Sequence, residues 1–135
     1  MVEREIKVVY SGGLKIDAEY RGFLIKTDQP VGEGGEGSAP APFDLFLASL
    51  ATCAGYYALA FCYSRGIPTE GLAVSLVTQR EQGQKLVGRM IIRLGLPAGF
   101  PEKYREAIVR AVDACTVKAH INHPPVFEIV TAGGA

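Results

Sequence analysis

A thiol set in an apolar helix is ordinarily inert packing material, because burial keeps it protonated and out of reach of oxidants. Cys53 and Cys115 invite a second reading. Cys53 lies in residues 45–63, an uncharged run of 19, and Cys115 lies on the apolar face of a later amphipathic segment. Two thiols on the apolar faces of separate helices can meet where those helices pack, and such a pair supports reversible disulfide chemistry. In a reducing compartment a pair of this kind is catalytic or redox-sensing rather than structural.

The other reactive side chains make weaker patterns. Cys62 stands nine residues after Cys53, about 900° of helical rotation, and so faces away and reads as core. His120 and His123 flank Asn122 without a nearby carboxylate or a Cys-x-x-Cys, a poor ligand set, so neither a metal nor another cofactor is expected. The run Gly32-Glu-Gly-Gly-Glu-Gly37 carries two carboxylates and no Gly-Lys-Ser/Thr, and would repel phosphate rather than cradle it. Tyr56 and Tyr57 read as packing residues, of the core or of a dimer contact, with one hydroxyl within reach of the thiol site. No Ser-His-Asp arrangement and no aromatic-basic nucleic-acid surface stands out.

Composition narrows the setting. A chain of 135 residues is expected to form one domain, 1–135, large enough to bury a core. Fourteen acidic residues balance fourteen basic ones, so no charge excess points to nucleic acid or an anionic membrane surface. Three cysteines are too few, and odd in number, for a secreted disulfide framework. The start, Met-Val-Glu-Arg-Glu-Ile, lacks the basic region and apolar core of a signal peptide, so the expectation is a cytoplasmic protein.

The elements that must position the thiols follow from hydrophobic period. Residues 6–10, 14–20 and 23–27 read as three strands of a meander, punctuated by Ser11-Gly12-Gly13 and by Arg21-Gly22. Residues 30–42, with four glycines and three prolines, are too long for a hairpin loop and suggest an ordering or functional loop. A helix is predicted over 42–65, ending at Gly66-Ile67-Pro68. Its apolar run is long enough to span a membrane. Its alanines, Ser49, Thr52 and Gly55, and the soluble α+β pattern around it, favour a central helix buried partly by a second copy of the chain. Residues 72–80 and 86–96 read as a hairpin joined across Gly83; 102–118 is predicted to be an amphipathic helix and 126–131 a final strand.

The run Pro42-Phe-Asp-Leu-Phe-Leu-Ala-Ser-Leu-Ala-Thr-Cys53 resembles the helix of the osmotically inducible protein C and organic hydroperoxide resistance superfamily, where a Pro-x-Glu-Leu start leads to the first active cysteine. Cys115-Thr-Val-Lys118 resembles its second motif, of the type Cys-Pro-Val-Ser-Lys, with the proline absent and the lysine one position early. The element order βββ-α-ββ-α-β matches over nearly the whole chain. The resemblance implies an α+β, OsmC-like fold with two long helices against a curved sheet, built as an intertwined homodimer. It also implies a thiol-dependent peroxidase in which Cys53 attacks an organic hydroperoxide, Cys115 resolves the sulfenic acid, and an external dithiol reduces the disulfide.

That family places a glutamate near the helix start and pairs it with an arginine that orients the nucleophile. The corresponding acid here is Asp44, shorter by a methylene and nine positions before Cys53, so it either reaches the site through an irregular first turn or serves as a helix-start acid. The arginine of substrate binding is assigned to Arg21, at the predicted hairpin tip, with a solvated turn residue as the alternative and Arg80 as second choice. Two further functions stay open: an OsmC-like protein binding a small apolar ligand at the dimer interface, and a structural dimer with two buried thiols.

Overall fold

The computed structural model describes residues 1–134. The chain divides into two compact units, one spanning Met1–Ala48 and one beginning at Ser49; helix α1 (Pro42–Ser64) starts in the first and continues into the second.

In the first unit β1 (Lys7–Tyr10), β2 (Ile16–Tyr20) and β3 (Phe23–Thr27) form an antiparallel sheet in that order. Arg21 and Gly22 close β2 onto β3 with φ of 50° and 83°. Two consecutive left-handed residues are what a type I′ hairpin requires, since that turn matches the right-handed twist of the strands. The resulting register sets Asp17 opposite Lys26, and the Ser11 hydroxyl donates to the Asp17 carboxylate at 2.8 Å.

The glycine-rich loop after β3 is gathered around one carboxylate. Asp28 is 1 % exposed. It accepts from the Gln29 N–H at 2.7 Å, the Glu36 N–H at 3.2 Å, and the Ser38 N–H and hydroxyl at 3.0 and 2.7 Å. These bonds to Ser38 and Gln29 hold its pKa down at about 2, because they are made to the ionised form. Gly35 sits where a Cβ would lie 2.0 Å from the Gln29 carbonyl oxygen, so no other residue fits that turn unchanged.

Helix α1 begins at Pro42, whose fixed φ suits a first helical position. The Asp44 carboxylate reaches back to accept from the Ala41 N–H at 2.9 Å, the acid half of a capping box. At the other end the Ile67 N–H donates to the Cys62 carbonyl at 2.9 Å, with Gly66 left-handed at φ 64°.

In the second unit β4 (Ala73–Gln79) and β5 (Arg89–Gly95) form an antiparallel hairpin, Val77 opposite Ile91. The core joins Ala54, Ala58, Phe61 and Cys62 of α1 to Ile67 and to Ile108 and Val112 of α2 (Arg105–Asp113), with Val74, Ile92 and Leu94 of the hairpin against it. Helix α1 is apolar all round but buries one stripe within the chain, Leu50, Ala54, Ala58, Phe61 and Cys62, at helical spacing. Tyr56 and Tyr63, off that stripe, are exposed.

Two expected elements differ. The helix expected over 102–118 is a 3-10 turn (Glu102–Tyr104), then α2, then a break at Ala114–Cys115 and a short α3 (Thr116–Asn122). Cys115 takes an extended backbone, φ −51° and ψ 132°, and so ends the helical ladder instead of continuing it. The strand expected over 126–131 is absent: Val126, Phe127, Ile129 and Val130 are at least 85 % exposed, without regular structure. A strand exists only with a neighbour to receive its hydrogen bonds, and this segment has none among the described residues.

Candidate active site

All three cysteines are free thiols. Cys53 projects from α1 beside the fully buried Ala54 and is itself half-buried. Cys115, 1 % exposed, sits at the corner between α2 and α3. The fold brings the two together across a separation of 62 positions: the Cys115 thiol donates a hydrogen bond to the Cys53 sulfur.

The break before α3 supplies the remaining donors. Burial opposes charge on Cys53 and is the largest single influence on it, but the Cys115 thiol and the Val117 and Thr116 N–H groups all donate to its sulfur and carry its pKa below the ordinary thiol value. None of these donors is an arginine or lysine. Cys115 moves the opposite way: burial and its bond to Cys53 push its pKa up, partly offset by the Lys118 and Val117 N–H groups. The corner thus pushes the two thiols apart, Cys53 toward its thiolate and Cys115 toward its protonated form. Cys62 lies in the core, and burial pushes its thiol up as well.

Around the pair, the hydroxyls of Tyr57 and Thr116 share a hydrogen bond of 2.8 Å. His120 donates from Nδ1 to the Thr116 carbonyl at 2.7 Å, which engages that histidine within α3. Lys118 pairs with Asp113 across the break. The acid and the first-choice arginine named from sequence belong to the first unit: Asp44 is engaged by the Ala41 N–H, and the Arg21 guanidinium lies 5.9 Å from the centroid of the Tyr20 ring. Arg80, the second choice, belongs to the second unit, where its guanidinium donates to the Gln84 carbonyl at 2.6 Å.

Within the second unit a cavity of about 450 Å³ is lined by Met90, Ile92, Leu94, Val109 and Val112, with Asp113 and Lys118 as its charged residues; neither thiol lines it. Its apolar wall suits a hydrocarbon group rather than a small polar molecule.

The sequence profile of OsmC-like proteins matches residues 35–130, which includes both cysteines and everything between them. The chain belongs to this family. Its solved neighbours share the fold. A Psychrobacter arcticus protein, described as an osmotic stress induced and detoxification response protein, is 25 % identical with a TM-score of 0.74, over 92 % of this chain and 91 % of that one. An OsmC-like protein from Mycoplasma pneumoniae is 16 % identical with a TM-score of 0.70, over 91 % and 89 %. A Legionella pneumophila organic hydroperoxide resistance protein OsmC is 23 % identical with a TM-score of 0.52, over 90 % of each. No curated protein sequence matches the chain.

Sequence reasoning on this OsmC-like protein reaches the two thiols and allows a tyrosine hydroxyl near them, but not Thr116 or the backbone donors. One signal was present. A threonine replaces the proline of the family's second motif, and threonine, unlike proline, offers both an N–H and a hydroxyl.

Proposed function

We propose that this OsmC-like protein is a thiol-dependent peroxidase for organic hydroperoxides. The Cys53 thiolate attacks the distal peroxide oxygen; the O–O bond breaks, the alkoxide leaves as the alcohol after taking a proton, and Cys53 becomes a sulfenic acid. The Cys115 sulfur then attacks the Cys53 sulfur, expelling water and forming the Cys53–Cys115 disulfide. An external dithiol supplies the two electrons that restore both thiols. The observation that carries this reading is the hydrogen bond from the Cys115 thiol to a Cys53 sulfur whose ionised form is favoured. The neighbours described as stress or hydroperoxide-resistance proteins agree with a detoxifying role.

In this reading Asp44 serves the nucleophile through the helix it caps, and Arg21 as the substrate's cation rests on the family pattern. The working form is a homodimer, supported by the exposed apolar strand residues Val8, Tyr10, Phe23 and Leu24 and the exposed segment 126–130. Three free thiols fit a reducing compartment, the cytoplasm. A second reading, binding of a small apolar ligand with little peroxidase activity, is favoured by the cavity against β5 and α2. Intact-protein mass spectrometry after one equivalent of cumene hydroperoxide separates them. Loss of two hydrogens with a Cys53–Cys115 crosslink supports the peroxidase; unmodified thiols after prolonged exposure leave the binding reading.

A further inference from the structure

We propose that Tyr57 and Thr116 form a clasp that positions the Cys53–Cys115 corner, so that both are positioning residues for the nucleophile. The proposal deepens the peroxidase reading and rests on it for its catalytic meaning. Cys53 and Tyr57 are four residues apart on α1 and share a face, one turn apart. Cys115 and Thr116 are consecutive at the break that starts α3. Two contacts therefore cross the same junction side by side: thiol to sulfur, and hydroxyl to hydroxyl at 2.8 Å. The Tyr57 ring is itself set edge-on against Tyr56, with centroids 5.2 Å apart, which limits where its hydroxyl can go.

The junction needs such a tie because α3 is weakly anchored. It has seven residues, none buried, and no side-chain cap on its first turn. A helix this short has little stability of its own. Yet its first two N–H groups, those of Thr116 and Val117, donate to Cys53. Thr116 carries both an N–H aimed at the sulfur and the side chain bound to Tyr57. Holding the hydroxyl therefore holds the N–H. The His120 bond to the Thr116 carbonyl closes the same residue from the other side. The clasp also keeps Cys115 beside Cys53 after peroxide attack, when the thiolate that accepted its hydrogen bond has become a sulfenic acid.

The test reads Cys53 itself, without peroxide. Alkylation of Cys53 by iodoacetamide, followed by peptide mass spectrometry between pH 5 and 10, reports its thiolate fraction. Tyr57→Phe and Thr116→Val should each move the midpoint upward, with a roughly threefold to tenfold slower reaction at pH 7, as expected from losing about one hydrogen bond's worth of positioning. Thr116→Ser should restore the native profile, and the double variant should be no worse than either single one. Thr116→Pro, compatible with a first helical position but lacking both N–H and hydroxyl, should give the largest shift. Thr116 is exposed, so its variants test the clasp even where Tyr57→Phe fails to fold. Unmoved midpoints in Thr116→Val and Thr116→Pro would overturn the proposal. A moved midpoint in a protein whose thiols ignore cumene hydroperoxide would uphold the clasp and reject the peroxidase.

Discussion

Cys115 donates to Cys53, and the two thiols are pushed in opposite directions by the corner they share. Burial weighs against ionisation at both. At Cys53 the N–H groups of Val117 and Thr116 and the Cys115 thiol outweigh it; at Cys115 burial and the neighbouring sulfur prevail. In the proposed peroxidase this asymmetry suits Cys53 to attack and Cys115 to resolve, although the two side chains are chemically identical.

At neutral pH iodoacetamide should therefore label Cys53 well before Cys115 or Cys62. The sign follows from linkage: the fold favours the Cys53 thiolate, a contribution present above the ordinary thiol pKa of 9.0 and lost as pH falls through the lower folded value. Cys115 contributes oppositely, losing its share as pH rises through its raised value. Cys53→Ser should abolish peroxide consumption, and Cys115→Ser should accumulate sulfenic acid trappable by dimedone. Equal labelling of Cys53 and Cys62 would contradict this assignment.

Asp28 makes the loop at 29–40 acid-sensitive. Its folded pKa of about 2 lies below the ordinary 3.8, so its stabilisation is complete above the ordinary value and disappears as pH falls through the folded one. The melting temperature of the native protein should drop between pH 4 and 2 more steeply than that of Asp28→Asn. Parallel curves would remove Asp28 as the loop's organiser.

For Asp44 the capping bond predicts a stability effect. Asp44→Asn should cost about 0.3–1 kcal/mol in denaturant unfolding and leave the rate of Cys53 oxidation within twofold. A tenfold slower oxidation, on the order of 1.4 kcal/mol, would instead place the carboxylate in the reaction. Arg21→Met should raise KM for cumene hydroperoxide and spare the alkylation of Cys53; an unchanged KM takes Arg21 out of substrate binding.

The unpartnered apolar surface predicts assembly. Sedimentation at micromolar concentration should show a dimer of about twice the 14.4 kDa chain mass, and Phe127→Asp with Ile129→Asp should weaken it. The double substitution removes exposed apolar side chains from a segment that contributes nothing to the core, so a folded monomer is the expected product. A native protein that is already a stable monomer would defeat the assembly argument.

Much of the fold was legible from local pattern. The Arg21-Gly22 hairpin, the hairpin across Gly83, and α1 with its stop at Gly66 depend on turn chemistry and period, which neighbouring residues carry in themselves. The two cysteines could be singled out as candidates only through the motifs around them, since a thiol in an apolar helix is by itself ordinary packing. Where the second helix stops was not legible. Residues 105–118 keep their amphipathic spacing through Cys115, and period alone cannot show that the chain turns extended there. Residues 126–131 have strand composition, but strand formation depends on a neighbouring strand, which sequence period does not supply.

The sequence by itself determined the five strands up to Gly95, α1 and the turn residues between them, and offered the two thiols as candidates for pairing. Tertiary structure decided which thiol is pushed toward ionisation and which away from it. That choice depends on a backbone break placing the Thr116 and Val117 N–H groups over Cys53, and on the Tyr57–Thr116 contact across 59 positions. Hydrogen-bond energies depend on tenths of an ångström and on direction, and no spacing along the chain encodes either for residues so far apart.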